Sequence, residues 1–261
     1  MITQAKKKIL QETNESPESR LERKRFESFK DNYLEMLKDP DIPNIYKVFL
    51  RQKDIIMLLG KLKPMTEFQV QEENIAEFTK KGYWAEDSLK GFLELLKNKF
   101  GVDNFEEYRD GNNALYRIYD QEQIKEQIKK FPKLVAWDDS MQLNQWIDAN
   151  LDQGVPIDYV KGALYGFPKS SIDFYLEKGG FMDIEMQGIG TYGEDYGVPK
   201  GELSPDVIFR EEAKNKFFKQ FESDQDIQVE LQKTNNLKEE LLNIIKEIRR
   251  KRDEQDERLK K

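Results

Sequence analysis

The residues available for chemistry in this chain are carboxylates, lysines, arginines, tyrosines and hydroxyls, because histidine and cysteine are both absent from its 261 positions. That removes Ser-His-Asp and Cys-His nucleophiles, histidine or thiolate zinc sites, iron-sulfur clusters and thiol redox cycles. The carboxylates that stand beside a motif are Asp183, Glu185, Glu194 and Asp195. Such acids could give oxygens to a hard cation or work as a paired acid and base. They lack the alternation of an EF-hand loop, and among 50 acidic residues a local group of four needs no special cause. Solvated surface is therefore their first reading, with a carboxylate enzyme or cation site at 183–195 as an alternative, and no catalytic residue, metal or cofactor is assigned.

The same stretch holds Gly188-Ile189-Gly190-Thr191-Tyr192-Gly193, a formal G-x-G-x-x-G. A dinucleotide site needs a helix N-terminus directly after the glycines, where free N–H groups hold the pyrophosphate. Here Glu194-Asp195-Tyr196-Gly197-Val198-Pro199 follows, poor in helix formers and carrying two acids where phosphate would sit. The nucleotide reading is rejected. A long Gly- and Tyr-rich loop is instead a candidate contact surface, through Tyr192 and Tyr196.

Residues 156–178 form a second motif. Pro156 opens a short helical segment (Ile157, Val160, Leu164), Gly166-Phe167 breaks it, and Pro168 opens another (Ile172, Tyr175, Leu176). Ala163, Gly166 and Ile172 resemble the small residue, turn glycine and buried aliphatic of a helix-turn-helix, which would put Lys169, Ser170, Ser171 and Asp173 at the start of a recognition helix. The turn is one residue short and its surroundings are poor in arginine. A helical hairpin explains the pattern without nucleic acid, which stays as an alternative partner.

These motifs sit in a highly charged chain: 36% charged, 38% hydrophobic and a formal charge of -7, yet with 16 Phe, 11 Tyr and 3 Trp to build a core. From Val135 to Glu230 there are 19 acidic and 8 basic residues, so the acidity is central. No run of about 18 apolar residues exists, so no membrane-spanning helix is expected. The basic start, Met1 to Lys8, has no apolar segment behind it, and a cytoplasmic location is the expectation.

Apolar residues recurring at steps of three and four predict helices over most of the chain. One carries Leu21, Phe26, Phe29, Tyr33, Met36 and Leu37; another runs from Pro43 to Gly60; further helices are expected near 73–80, 87–99, 120–130, 140–151 and 205–223. The patch with Tyr108, Leu115, Tyr116, Ile118 and Tyr119 has no clear period. The best strand is 181–187, and a lone strand needs a mate, from Tyr116–Tyr119 or another segment. The organisation expected is a polar tail at 1–18, a helical region at 19–132, an acidic region with hairpin and loop at 133–225, and a C-terminal amphipathic then charged helix at 226–261. The fold class is mainly α.

In that last helix Leu237, Leu241, Ile244 and Ile248 are spaced four, three and four, forming a seam of about two heptads. This is short for a coiled coil, so the helix docks on its own domain or takes a partner. Beyond it, Arg249-Arg250-Lys251-Arg252 is followed by Asp253, Glu254, Asp256 and Glu257. The expected role is a non-catalytic interaction or adaptor protein, acting on another protein or on itself through this helix and the Gly/Tyr loop.

Overall fold

The computed structural model describes residues 17–71, 77–82, 86–110, 113–138, 140–177, 186–189, 196–199 and 203–259. Helix α1 (Pro17–Lys38) buries Phe26, Phe29, Tyr33, Met36 and Leu37, the face its periodicity predicts. The expected helix from Pro43 to Gly60 is two, α2 (Asn44–Phe49) and α3 (Lys53–Leu59). Between them Arg51 N and Gln52 N bond three residues back, to Val48 O at 3.1 Å and Phe49 O at 3.0 Å, which tightens the chain and turns the Arg51 side chain out of the helix. All five apolar residues of α3, Ile55 to Leu59, are buried, as a helix apolar all round requires.

A three-stranded antiparallel sheet lies inside the 19–132 stretch that periodicity reads as helical. Its strands are β1 (Met65–Gln71), β2 (Asp103–Asp110) and β3 (Asn113–Tyr119), in the order β1-β3-β2. Met65 and Asp103 both pair with Tyr119, and a bulge falls between Glu106 and Tyr108. Helix α4 (Glu86–Phe100) separates β1 from β2. Phe68 and Tyr116 stack across the sheet at 5.2 Å, and Phe49 meets Phe68 edge-on at 4.8 Å, so this face closes on the first helices.

After β3 comes α5 (Gln121–Ile128), and the acidic region supplies α6 (Leu143–Asp152), α7 (Ile157–Leu164) and α8 (Lys169–Glu177). Ile124, Ile128, Leu143, Trp146, Val160 and Leu164 form their shared core with Met65 of β1. Strands β4 (Met186–Ile189) and β5 (Tyr196–Pro199) make an antiparallel hairpin against α8. The mate of the expected strand is therefore 196–199, whereas Tyr116–Tyr119 belongs to the larger sheet; residues 181–185 of that strand lie outside the described residues.

Helix α9 (Pro205–Ser223) returns to the start of the chain. Phe217 lies 5.0 Å from Phe29 and 5.4 Å from Phe26, both near-perpendicular contacts of the kind aromatic quadrupoles favour. Helix α10 (Gln225–Lys233) continues over α1, capped by Asp224, whose carboxylate accepts from Ile227 N at 3.2 Å. Lys30 ties this corner to α1 through Asp224 and Asp226, each at 2.8 Å. Helix α11 (Asn235–Leu259) ends the described chain. No described helix is long and apolar enough to cross a membrane.

Candidate functional site

The first half of α11 is anchored. Leu241 and Ile244 are buried with Phe78, from a helical turn at 77–80, and Ile45, Val48, Ile245 and Ile248 pack around them. Leu237 stands in the first turn of the helix. At Leu241, Ile244 and Ile248 the seam that spacing singles out is thus packed against the chain itself, on Phe78 and α2 among the described residues. Past Ile248 the described side chains are exposed, and their charges pair along the helix: Lys251 Nζ with Glu247 at 3.0 Å and Arg250 with Glu254 at 3.9 Å. Exposed pairs of this kind hold little energy, so they leave the surface available to an outside charge.

The start of α8 has a different design. Asp206, in the first turn of α9, takes Ser170 N at 3.2 Å on Oδ2, and on Oδ1 takes Ser170 Oγ at 2.8 Å, Ser204 Oγ at 2.6 Å and Val207 N at 3.1 Å. One carboxylate therefore serves the N-termini of two helices, where their unpaired N–H groups favour an anion. Lys169 pairs with Asp173 one turn along. Of the polar residues that a recognition helix would present, Lys169, Ser170 and Asp173 are engaged within the fold and Ser171 is buried.

Burial alone would raise the Asp206 carboxyl, but the hydrogen bonds from Ser204, Ser170 and Val207 outweigh it and hold the group below its ordinary range. A folded-state pKa below the unfolded value of about 3.9 makes stability that is present above that value and lost as pH falls through the lower folded one. Asp206→Asn should accordingly flatten the acid side of the urea midpoint measured against pH, and an unchanged acid limb would show that the carboxylate is not ionised in this role.

The α7–α8 hairpin is built on close approach. A Cβ on Gly162 would stand 2.5 Å from Ile172 Cδ1, so the Ile172 side chain packs directly on the α7 backbone there. Gly166 turns the chain with φ +71°, and a Cβ there would meet Pro64 Cδ at 2.5 Å. Gly166→Ala should lower stability by about 2–4 kcal/mol, joining left-handed backbone cost to overpacking against a ring that cannot rotate away. A urea titration checks it.

Comparison with family models, with curated proteins and with solved structures finds no match. The site is therefore judged on its own geometry. In the Gly-rich segment, Gly188 lies within β4 opposite Gly197 of β5. The chain after the glycines returns as a strand and not as a helix, which is the wrong setting for a pyrophosphate. Tyr196 opens β5 opposite Ile189. Tyr192 and the acids Asp183, Glu185, Glu194 and Asp195 lie outside the described residues. Among the described residues no group of three or more acids is placed to hold a metal ion.

One exposed feature escaped the periodicity. Phe209 is 76% exposed on α9, beside Ile208 at 40%. Val207 takes the inward position, and three consecutive apolar residues cannot all face inward from a helix, which is the signal the run Val207-Ile208-Phe209 carries. Phe209→Ser should change stability by no more than about 0.5 kcal/mol, because the ring buries little; a larger loss in thermal unfolding would show that it packs.

Proposed function

We propose that this chain is a non-catalytic protein-binding module of the adaptor kind, acting through its C-terminal helix together with the Gly/Tyr hairpin. The observation that carries the reading is the form of α11: an anchored first half and a charged continuation past Ile248 whose ion pairs lie along its own surface. A helix of 25 residues extends about 37 Å, of which the part after Ile248 adds about 16 Å beyond its apolar anchor. Basic and acidic blocks in succession along that extension suit a partner with its own alternating charges, and such steering weakens as salt rises.

The test is affinity capture after nuclease treatment, comparing the full chain with one ending at Ile248. Cutting there keeps Leu241 and Ile244 on Phe78, so the shorter chain should keep its unfolding midpoint. A specific protein held by the full chain, lost on shortening and released by added salt, is the expected result. Equal capture by both chains would overturn the C-terminal helix as the contact surface, and capture abolished by nuclease would point to nucleic acid.

A further inference from the structure

From Gln225 to Leu259 the chain is helical at every residue but one, Thr234, and neither proline nor glycine occurs in that run. Sharp helix bends otherwise come from those residues or from a side chain inserted into the hydrogen-bond ladder. Here the inserted group is Arg51. Its Nη1 donates to Leu231 O at 3.1 Å and to Thr234 Oγ1 at 2.8 Å, and its Nη2 donates to Asn235 Oδ1 at 2.6 Å. Thr234 adds its own N–H, at 3.1 Å, and its hydroxyl, at 2.9 Å, to the same Leu231 carbonyl. In an uninterrupted helix that carbonyl would serve Asn235 N–H. The ladder resumes with Lys238 N on Thr234 O at 3.1 Å.

The break at Thr234, whose φ of -99° and ψ of 3° leave the helical range and bend the run, decides where the seam lies. Leu241 and Ile244 come down on Phe78, with Ile45 and Val48 at the side and Ile245 and Ile248 at the rim. Among the described residues the larger core around Phe29 and Phe217 includes none from α11. A helix joined to its neighbour through one non-helical residue, and held at that residue by an arginine from the α2–α3 turn, can hinge there.

We propose that Arg51 and Thr234 form a latch, in which the bend keeps the Leu241, Ile244 and Ile248 seam closed on α2 and Phe78, and straightening at Thr234 releases it as an exposed apolar face. The purpose of the latch rests on the adaptor reading, to which it adds the covered seam as a second surface beside the charged extension, but the movement itself can be measured without a partner.

A chain without cysteine takes spin labels only where thiols are introduced. Lys90→Cys and Glu254→Cys place one label on α4 and one on the extension of α11, both at exposed positions. Distances by pulsed electron resonance should show one dominant separation, and Arg51→Ala should raise a second population about tenfold. Thr234→Ala removes a single hydroxyl and leaves the arginine contacts to Leu231 and Asn235, so it should raise the same population about threefold and carries the test if the arginine variant does not fold. Folded variants that all keep the single separation would overturn the latch. A second population without any change in protein capture would keep the latch and overturn the seam as a partner's surface; truncation-dependent capture with one rigid separation would keep the adaptor reading and overturn the latch.

Discussion

Replacing Asp120 by alanine will lower the unfolding free energy by about 3 kcal/mol, close to what removing one partner of a buried ion pair costs. Asp120 is 3% exposed and sits where β3 ends and α5 begins. Its carboxylate accepts from Gln123 N at 3.0 Å as the helix cap, from Gln123 Nε2 at 3.2 Å, and from the Lys61 ammonium. Its own N–H donates to Pro64 O at 2.8 Å. Lys61 also reaches Phe100 O at 2.9 Å, so the same group gathers the ends of α3, α4 and β3. Alanine would remove the cap, about 1 kcal/mol, and leave the ammonium with a carbonyl alone. The Lys61 side chain is about one-third exposed and can turn to water, which keeps the loss toward the low end. Asp120→Asn retains an oxygen for the cap and should lose less than alanine. Equilibrium urea unfolding of the two variants measures both values, and an alanine variant within about 0.5 kcal/mol of the parent, the range of a neutral surface change, would contradict the account.

The second large effect is expected at Trp146, which is fully buried in the acidic region. Its indole Nε1 donates to Val135 O at 2.8 Å, and its ring lies 5.7 Å from that of Trp137. Asn150, one turn on, donates from Nδ2 to Trp146 O at 2.8 Å and accepts Val135 N at 2.9 Å on Oδ1. Val135 is thereby held at both its N–H and its C=O, which fixes the 131–138 connection to α6. Trp146→Ala should cost about 3–5 kcal/mol, the range for emptying an aromatic site in a core. Trp146→Phe keeps much of the packing but strands the Val135 carbonyl, and should cost about 1–3 kcal/mol. Intrinsic fluorescence follows both unfolding transitions through the remaining Trp84 and Trp137; a near-neutral alanine variant would mean that this layer packs more loosely than the contacts indicate.

Helices were legible where an apolar period met a stop. Phe26, Phe29, Tyr33, Met36 and Leu37 gave α1, Pro205 opened α9, and Gly166 marked the α7–α8 turn. Mainly α architecture follows from those periods, and the structure agrees. The three-stranded sheet was not legible. Strand β2 reads Asp103-Asn104-Phe105-Glu106-Glu107-Tyr108-Arg109-Asp110, with too few apolar residues to show a period of two, and a bulge interrupts it. Strand β1 finds its partner some fifty residues away, beyond the reach of any local pattern. The seam of α11 shows the same limit from the other side. Spacing identifies an apolar face at Leu241, Ile244 and Ile248 but contains nothing about what covers it, and Phe78 and α2 are remote in sequence. Nor does Arg51 announce itself, since its contacts with Leu231, Thr234 and Asn235 depend on tertiary placement.

The pairing of α1 with α9 and α10 also sets the order of events during synthesis. Phe26 and Phe29 of α1 receive Phe217, and Lys30 receives Asp224 and Asp226, from residues translated 188 to 196 positions later. At about 5–20 residues per second, the aromatic side of α1 waits on the order of ten seconds or more for its cover. Through that interval the nascent chain carries an unsatisfied apolar ridge at its leading end, the kind of surface that chaperones bind. The cover of this face is therefore completed late, and a ribosome stalled before Phe217 would hold a chain whose first helix meets Leu50 and Phe100 but lacks α9 and α10.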